Sequence, residues 1–383
     1  MLDHLSEEFE FFVITRDTDY METKPYFQVV SNQWNTMENG AKVFYVSAGE
    51  LSFRTLIRVS RQVPFDAVLV NGIYSLYFSL FPLIWFGRLT RKKVIVSARG
   101  MLSDQTFSAK KSRKKLFFFA ARVLGLYKGV TIHATNAGEE QEIRGNTGFR
   151  GDIRIAPNFP PYHENLSFSS IHKSEKEIRL VSIARISPEK NTLFALEILK
   201  QFSNYLSSSE AMEQYSLTFD LYGSVYLDEY AEQCVKVTER MPSQVQIRFC
   251  GPIEKNAVAE TLKSYHFFFM PSLGENYGHS IVESFLAGRP VIISDRTPWK
   301  ELESNGNGHS FSESRKPNTD HQKSFGIGWD IPLEDTEKYI EVMEYCLAMK
   351  QEEFDVMAKR AYAFGQQVVN DPSVKEANRR LFE

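Results

Sequence analysis

Two glutamates, Glu275 and Glu283, lie in the segment of the chain that is best suited to chemistry, PSLGENYGHSIVESFLAGRPVIISD at residues 271–295. We expect this segment to form a strand end, a glycine loop, a helix over residues 279–287 and a further strand. Gly278 lets the backbone approach a ligand closely, and the free N–H groups at the helix start favour an anion. The segment therefore predicts an anion site beside two carboxylates.

The two carboxylates are expected to reach different parts of a ligand, because Glu275 lies on the loop and Glu283 lies one turn inside the helix. Carboxylate oxygens accept hydrogen bonds, so one suits the hydroxyls of a sugar and the other suits a ribose. The alternative is a pair of solvated surface acids in salt bridges, which contribute about 0–1 kcal/mol each.

A second cluster, ARISPEKN at residues 184–191, follows a predicted strand and precedes an amphipathic helix. We expect Arg185 and Lys190 to enter the same crevice as the glutamates, because ligands of parallel sheets gather beyond the carboxyl ends of the strands. A guanidinium and an ammonium that converge suit a diphosphate, and they would stabilise the charge of a departing diphosphate. Taken alone, the two cations would be interpreted as surface charge at a helix start.

Short runs of β-branched and aromatic residues alternate with helical stretches along the chain, which is typical of parallel α/β sheets. Strands are predicted at Phe11–Thr15, Lys42–Val46, Ala67–Asn71, Lys93–Ala98, Val130–Ala134, Arg179–Ala184, Thr218–Tyr222, Gln246–Cys250, Phe267–Met270 and Val291–Ser294. Gly223 directly follows one of these strands, so it joins the candidate site. Helices are predicted at Glu337–Met349 and Val374–Phe382.

The length of 383 residues suits two domains of ordinary size. We predict an N-terminal Rossmann-like domain at residues 1–158, a linker at 159–176 and a second Rossmann-like domain at 177–345. The remaining residues, 346–383, are predicted to be helices that pack back on the first domain. The polar stretch Glu303–Phe325 is predicted to be a mobile surface loop.

The charge, the cysteines and the apolar segments of the chain argue against several classes of protein. The net charge of -3 argues against a nucleic-acid partner, since bulk binding of that kind needs a strongly basic face. Three separated cysteines and a start that resembles no secretory signal predict a cytoplasmic protein. The apolar segment Tyr74–Gly87 contains a proline and is shorter than the roughly 20 residues that span a bilayer, so it predicts a buried or interfacial helix.

A local excess of positive charge extends from Arg88 to Lys115, where the sequence has ten basic residues and one acidic residue. Within it, the run Lys110–Lys115 leads into three phenylalanines, a combination that favours an anionic membrane surface. A solvated helix face beside core aromatic residues explains the same pattern equally well. A peripheral position at the inner face of the membrane is therefore one of two interpretations.

The motifs together resemble the retaining glycosyltransferases of family 4, which have the GT-B fold. The resemblance rests on ARISPEKN, GENYGHSIVES and LAGRPVIISD, with weaker matches at VSARGMLS and HATNAGEEQEI, and it extends over almost the whole chain. It implies two Rossmann-like domains facing a cleft, with a nucleotide-sugar donor held mainly by the second domain and a glycan or lipid-linked acceptor by the first. It also implies retention of configuration, no metal ion or other cofactor, and a role in bacterial surface polysaccharide synthesis.

Residue roles follow from the same resemblance. Arg185 and Lys190 match the diphosphate-binding pair, while Glu275 matches the carboxylate on the donor sugar and Glu283 the carboxylate on the ribose. The loop that contacts sugar and phosphate corresponds to Asn276, Tyr277, Gly278, His279 and Ser280.

The first half departs from the family pattern in two places. Many relatives have a histidine after a central strand where this chain has Ala98-Arg99-Gly100, so Arg99 is a secondary candidate. His133 ends a predicted strand and suits a hydrogen-bonded structural residue as well as a ligand contact. The chain also opens at LDHLSEEFEFF, where relatives have a strand and a glycine loop, so the first βα unit is expected to be missing.

Two other functions fit the same residues. The missing first unit and the absent histidine suit a nucleotide-sugar-binding or scaffold protein with weak catalysis. An epimerase or a glycan phosphorylase of the same architecture would use a similar donor site.

Overall fold

A computed structural model describes residues 1–18, 23–27, 29–102, 111–161, 167–207, 215–303 and 326–383. Their contacts divide the chain into two compact units, the first made of Met1–Phe159 with Asp371–Glu383 and the second of Pro160–Asn370. The sequence predicts boundaries at 158, 176 and 345 instead. Except for its first residue, Glu303, the predicted loop at 303–325 lies outside the described residues.

The described strands of the first unit form two sheets. Strands β1 (Phe12–Arg16), β2 (Trp34–Thr36) and β3 (Lys42–Val46) have the order β1-β3-β2, and only β2 is antiparallel to its neighbour. Strands β4 (Ala67–Asn71), β5 (Lys93–Ser97), β6 (Thr131–Ala134) and β7 (Ile153–Ile155) form a parallel sheet in chain order. All four residues of β6 are buried, which agrees with a parallel strand covered on both faces.

Helices of the first unit connect these strands. They are α1 (Leu2–Leu5), α2 (Phe53–Ser60), α3 (Lys111–Val123) and α4 (Ala137–Thr147). The apolar segment predicted to be one helix forms two π-helical segments, Leu76–Leu80 and Leu83–Leu89. Phe81 and Pro82 between them are α-helical, so residues 76–89 form one continuous helical stretch.

The second unit is built on a six-stranded parallel sheet with the order β10-β9-β8-β11-β12-β13. The strands are β8 (Glu177–Ile183), β9 (Ser216–Tyr222), β10 (Val245–Gly251), β11 (Phe267–Met270), β12 (Val291–Ser294) and β13 (Gly328–Ile331). The helices are α5 (Thr192–Ser207), α6 (Asp228–Thr238), α7 (Val258–Leu262), α8 (His279–Leu286), α9 (Thr336–Ala348) and α10 (Gln351–Val369). Short 3₁₀ turns occur at Pro188–Lys190 and Lys255–Ala257.

Strand β11 lies between two cores because successive side chains of a strand point to opposite faces. Phe267 and Phe269 pack into the core formed with α5 and α9. Phe268 and Met270 pack into the core formed with α7, α8 and α10. The carboxyl end of β11, where the candidate glutamates follow, is thus fixed from both sides.

Residues 167–176, predicted as linker, pack into the second unit. The buried Arg289 guanidinium donates to the Ser169 carbonyl oxygen at 2.9 Å and to the Lys263 carbonyl oxygen at 3.1 Å. The buried Lys173 ammonium donates to the Leu347 carbonyl oxygen at 3.2 Å, at the end of α9. These buried cations are satisfied by carbonyl oxygens, which ties the segment to the helices.

The last helix of the chain, α11 (Pro372–Phe382), belongs to the first unit, whereas α10 belongs to the second. Leu381 is buried beside Ile95 and Ala156, and Asn378 donates to the Pro157 carbonyl oxygen at 2.8 Å. Gly365 of α10 packs directly against α8, since a Cβ there would lie 2.8 Å from the Leu286 backbone nitrogen.

Candidate active site

Lys190 and Glu275 are in direct contact at the carboxyl end of the sheet in the second unit. The Lys190 Nζ to Glu275 Oε1 distance is 2.5 Å, and only 9% of the Glu275 side chain is exposed. Lys190 ends the 3₁₀ turn that follows β8, and Glu275 lies in the loop that follows β11. Because β8 and β11 are adjacent and parallel, their carboxyl ends lie at the same edge and bring the two loops together.

Backbone contacts hold these two loops against each other. The Leu273 N–H donates to the Glu189 carbonyl oxygen at 2.9 Å, and the Asn191 side chain donates to the Pro271 carbonyl oxygen at 3.1 Å. Asn191 has a φ of 57°, a left-handed conformation that asparagine tolerates better than most residues. No role is predicted for Asn191 from the sequence, although it stands directly before the predicted amphipathic helix.

Arg185 follows β8 and is exposed beside Gly223. Its guanidinium carbon lies 5.1 Å from the ring centroid of Tyr226, a cation–π contact that orients the side chain. Gly223 has a φ of 149°, and a Cβ there would collide with the Ala184 carbonyl oxygen. Close packing of β8 and β9 therefore requires glycine at this position. The contact between Tyr226 and Arg185 was not predicted from the sequence.

Gly278 immediately precedes α8 in a left-handed conformation with a φ of 76°. A Cβ at this position would approach Ile281 Cδ1 to 2.7 Å, so glycine permits the turn. Gly278 provides no side-chain cap for the helix start. The geometry agrees with a helix whose first N–H groups are directed toward the loop.

The remaining loop residues differ in what their side chains can reach. Tyr277 is buried with its ring 5.5 Å from Trp299, and burial raises the pKa of its hydroxyl well above the ordinary value. The Trp299 indole N–H donates to the Tyr277 carbonyl oxygen at 2.5 Å. The Tyr277 carbonyl oxygen is thus already engaged, and its side chain is packed in the core. Asn276, Ser280 and Glu283 are half-buried, and His279 is exposed.

His133, in the first unit, is buried with both ring nitrogens in hydrogen bonds. Nε2 lies 2.7 Å from the Ala156 carbonyl oxygen, and Nδ1 lies 3.0 Å from the Ser97 hydroxyl. A carbonyl only accepts, so Nε2 carries the proton and Nδ1 accepts from the serine. Burial lowers the pKa of His133, which favours the neutral form and a structural role.

Arg99 follows β5 in the first unit and is exposed, with a φ of 51°. Its guanidinium donates to Asn158 Oδ1 at 3.0 Å. The buried Glu139 carboxylate accepts from the Gly100 N–H at 2.8 Å and from the Thr135 N–H at 2.7 Å. Glu139, which the sequence analysis did not single out, therefore positions the loops after β5 and β6.

The basic run Lys110–Lys115 is only partly described. Lys110 lies outside the described residues, while Arg113 and Lys115 are exposed on α3. Lys114 Nζ lies 5.6 Å from the Tyr74 ring centroid.

In the described part of the chain, no group of three or more histidine, cysteine, aspartate or glutamate side chains is placed to hold a metal ion. Within the same residues, no helix has the length and apolar content needed to cross a bilayer.

Residues 164–319 match the family model of the glycosyl transferases group 1. No curated protein sequence matches the chain. Sucrose-phosphate synthase from Thermosynechococcus elongatus is similar with a TM-score of 0.65 at 14% identity, over 99% of this chain and 90% of that one. HepE from Anabaena, solved with UDP and glucose, has a TM-score of 0.61 at 13% identity, over 90% and 86%. WaaG, a glycosyltransferase involved in lipopolysaccharide biosynthesis, has a TM-score of 0.53 at 14% identity, over 86% and 80%.

These likenesses confirm the predicted fold class. The chain has the mixed α/β fold with parallel sheets that is shared by these GT-B glycosyltransferases. The matched range 164–319 includes both motifs of the candidate site, ARISPEKN and GENYGHSIVES.

Proposed function

We propose that this chain is a retaining glycosyltransferase that moves a sugar from a nucleoside diphosphate sugar to a glycan or lipid-linked glycan. The contact between Lys190 and Glu275 carries the proposal. It sets a cation suited to phosphate beside a carboxylate suited to sugar hydroxyls, at the sheet edge where ligands of parallel sheets bind. The family match over residues 164–319 supports it.

The cations bind the diphosphate in this proposal. The Lys190 ammonium has three donors and gives one to Glu275, so two are left for phosphate oxygens. Arg185, oriented by Tyr226, adds a planar fork of donors. Both stabilise the leaving diphosphate as negative charge builds up on it. Glu283 accepts from the ribose, and Glu275 accepts from the transferred sugar.

The transfer itself exchanges one bond for another at the anomeric carbon. The acceptor oxygen bonds to this carbon on the face from which the diphosphate leaves, and the bond to the diphosphate oxygen breaks. The hydroxyl proton of the acceptor passes to the departing diphosphate oxygen. Configuration is retained without a covalent enzyme intermediate, and positioning supplies much of the rate. No metal ion takes part in this scheme.

The donor and acceptor classes are supported by the structural relatives. HepE was solved with UDP and glucose, so UDP-glucose is the first donor to test. WaaG is described as involved in lipopolysaccharide biosynthesis, which supports a surface polysaccharide acceptor. The cysteine pattern supports a cytoplasmic site of action.

The test is nucleotide release from a panel of nucleoside diphosphate sugars by the full chain, with and without acceptor glycans. We expect acceptor-dependent release that Lys190→Ala and Glu275→Gln reduce at least about a hundredfold, since each removes a charged contact to the reacting groups. Lys236→Ala, an exposed lysine on α6, is the matched control and should keep full activity.

The same experiment separates the alternative functions. Nucleotide binding without release would indicate a binding or scaffold protein. Conversion of the donor sugar without release would indicate an epimerase, and phosphate-dependent release of a sugar phosphate would indicate a phosphorylase. Each of these results contradicts the proposal.

A further inference from the structure

Helix α3 presents an apolar row on its exposed side. The exposed fractions are 68% for Leu116, 66% for Phe119, 70% for Val123 and 64% for Leu124 just beyond the helix. Residues 116, 119 and 123 are spaced by three and four, so they lie along one face of the helix. Four large apolar side chains side by side in solvent form the kind of patch that marks an interaction surface.

The orientation of α3 is fixed by contacts on its other side. Phe118 and Ala121 are buried in the first unit. At the end of the helix, the Arg88 guanidinium donates to the Leu124 carbonyl oxygen at 2.5 Å, and the Arg122 guanidinium donates to the Gly148 carbonyl oxygen at 2.7 Å. The helix is therefore held in place by its other side, and the side chains of the apolar row do not belong to the core of the first unit.

Basic residues flank the apolar row along both edges. At about 100° per residue, Lys115 falls along one edge and Arg113 along the other. Both are exposed. The sequence has no aspartate or glutamate between residues 105 and 138, although acids outnumber basic residues in the chain by 48 to 45. This surface therefore combines apolar side chains at its centre with positive charge at its edges.

We propose that this face of α3 docks on the surface of an anionic lipid bilayer. The apolar row inserts between the acyl chains, and the flanking lysine and arginine side chains reach the headgroup phosphates. An arrangement of this kind suits a helix lying in the interface plane, where each basic residue near anionic lipid adds attraction. The lysine run alone predicts only loose electrostatic attraction, whereas the exposed row supplies the inserted groups. This inference goes beyond sugar transfer and does not depend on it.

The test is co-sedimentation of the full chain with vesicles of phosphatidylglycerol and phosphatidylcholine, compared with vesicles of phosphatidylcholine alone. We expect binding to the anionic vesicles at low salt. Phe119→Gln with Val123→Gln should lower the partition coefficient about tenfold or more, because two inserted side chains are lost. Arg113→Glu with Lys115→Glu should lower it at least about tenfold and weaken its dependence on salt.

Matched controls come from the second unit, where Val235 on α6 and Val356 on α10 are also exposed. Val235→Gln with Val356→Gln should leave vesicle binding unchanged. Transfer to a dissolved acceptor should be the same in Phe119→Gln with Val123→Gln as in the unaltered chain. Vesicle binding is measured without a transferase assay, so this proposal and the proposed function can fail separately. Thermal melting should be unchanged as well, since the altered side chains are exposed.

Three outcomes would overturn the proposal. They are no binding to anionic vesicles at low salt, equal binding to neutral vesicles, and binding that survives loss of the apolar row. A dimer in sedimentation velocity that Phe119→Gln with Val123→Gln abolishes, without vesicle binding, would instead assign the row to a second copy of the chain.

Discussion

At the scale of single residues, the candidate site depends on pairs whose members come from different loops. Lys190 and Glu275 are 85 positions apart in the chain and are joined at 2.5 Å by two adjacent strands. Arg185 and Tyr226 are joined in the same way by β8 and β9. The sequence shows Lys190, Glu275 and Arg185 through their motifs. It does not show that Tyr226 contacts Arg185, because that contact depends on strand order.

The two glutamates are expected to contribute differently to ligand affinity. If Glu283 binds the ribose and Glu275 the sugar, Glu283→Gln should weaken the binding of a nucleoside diphosphate by about 1.5–3 kcal/mol, the range for a charged hydrogen bond. Glu275→Gln should change nucleotide affinity little and lower turnover instead. Calorimetry with UDP and rate measurements on the same variants check this. Equal loss of affinity in both would contradict the assigned roles.

Replacing Gly223 is expected to destabilise the second unit. Gly223→Ala should lower the free energy of unfolding by at least about 3 kcal/mol, because the new Cβ collides with the Ala184 backbone at a φ that disfavours side chains. Gly251 also has a positive φ but has open space around it, so Gly251→Ala should cost only about 1–2 kcal/mol. Urea denaturation of both variants measures the difference. Equal losses would show that the close approach of β8 and β9 is not what requires glycine.

At the scale of elements, His266 joins the start of β11 to β8. The Arg179 N–H donates to His266 Nδ1 at 3.0 Å, so Nε2 carries the proton and donates to the His172 carbonyl oxygen at 2.9 Å. Burial lowers the pKa of His266 from 6.5 to about 3. The fold therefore requires a neutral ring here, and a proton on this ring favours the unfolded chain.

The pH dependence of stability follows from this shift. The stabilising effect is complete above pH 6.5 and is lost as the pH falls toward about 3, because the unfolded chain takes up the proton first. Between about pH 7 and about pH 5, His266 should lower the free energy of unfolding by about 2 kcal/mol. His266→Gln should remove that portion of the pH dependence, while His279→Gln, at an exposed histidine, should keep it. Urea denaturation of the unaltered chain and of both variants at the two pH values measures this difference. An equal loss of stability in all three proteins would contradict the assignment to His266.

Most strands could be predicted from local composition. Lys42–Val46, Ala67–Asn71, Phe267–Met270 and Val291–Ser294 have the predicted bounds. Three short strands were missed: Trp34–Thr36, Ile153–Ile155 and Gly328–Ile331. Each of these strands has only three or four residues, which is too short for an apolar pattern to distinguish a strand from a loop. They are defined by their pairing with a neighbouring strand.

The parts of the site that could be predicted are those contained in one motif. The glycine before α8 and the basic pair after β8 have local signals, since helix starts and turns select residue types. Trp299, which accounts for the burial of Tyr277, and Glu139, which links two loops of the first unit, have no such signal. Their roles arise from packing between segments distant in sequence.

At the scale of the whole molecule, the chain leaves the first unit at Phe159 and returns to it at Asp371. The first unit is therefore completed by α11, which follows the whole second unit in sequence. Its buried residues Leu381 and Asn378 contact the sheet and the segment after β7. The sequence predicted a helix there but placed residues 346–370 with it, because apolar periodicity does not reveal which core a helix joins.

Helix α11 should stabilise the first unit through its buried side chains. Leu381 is fully buried, so Leu381→Ala should destabilise the first unit by about 2–5 kcal/mol. Arg380→Ala removes only an exposed ion pair with Glu376 on the same helix and should cost about 0–1 kcal/mol. Because the candidate donor site lies wholly in the second unit, we expect Leu381→Ala to leave UDP affinity unchanged.

Hydrogen exchange read separately in the two units measures this effect. In Leu381→Ala, amides of β5 in the first unit should exchange faster, while amides of β11 in the second unit should keep their protection. Saturating UDP should increase protection in the second unit, since a ligand stabilises the fold that binds it. Faster exchange confined to β11, or unchanged exchange at β5, would show that α11 does not complete the first unit in solution.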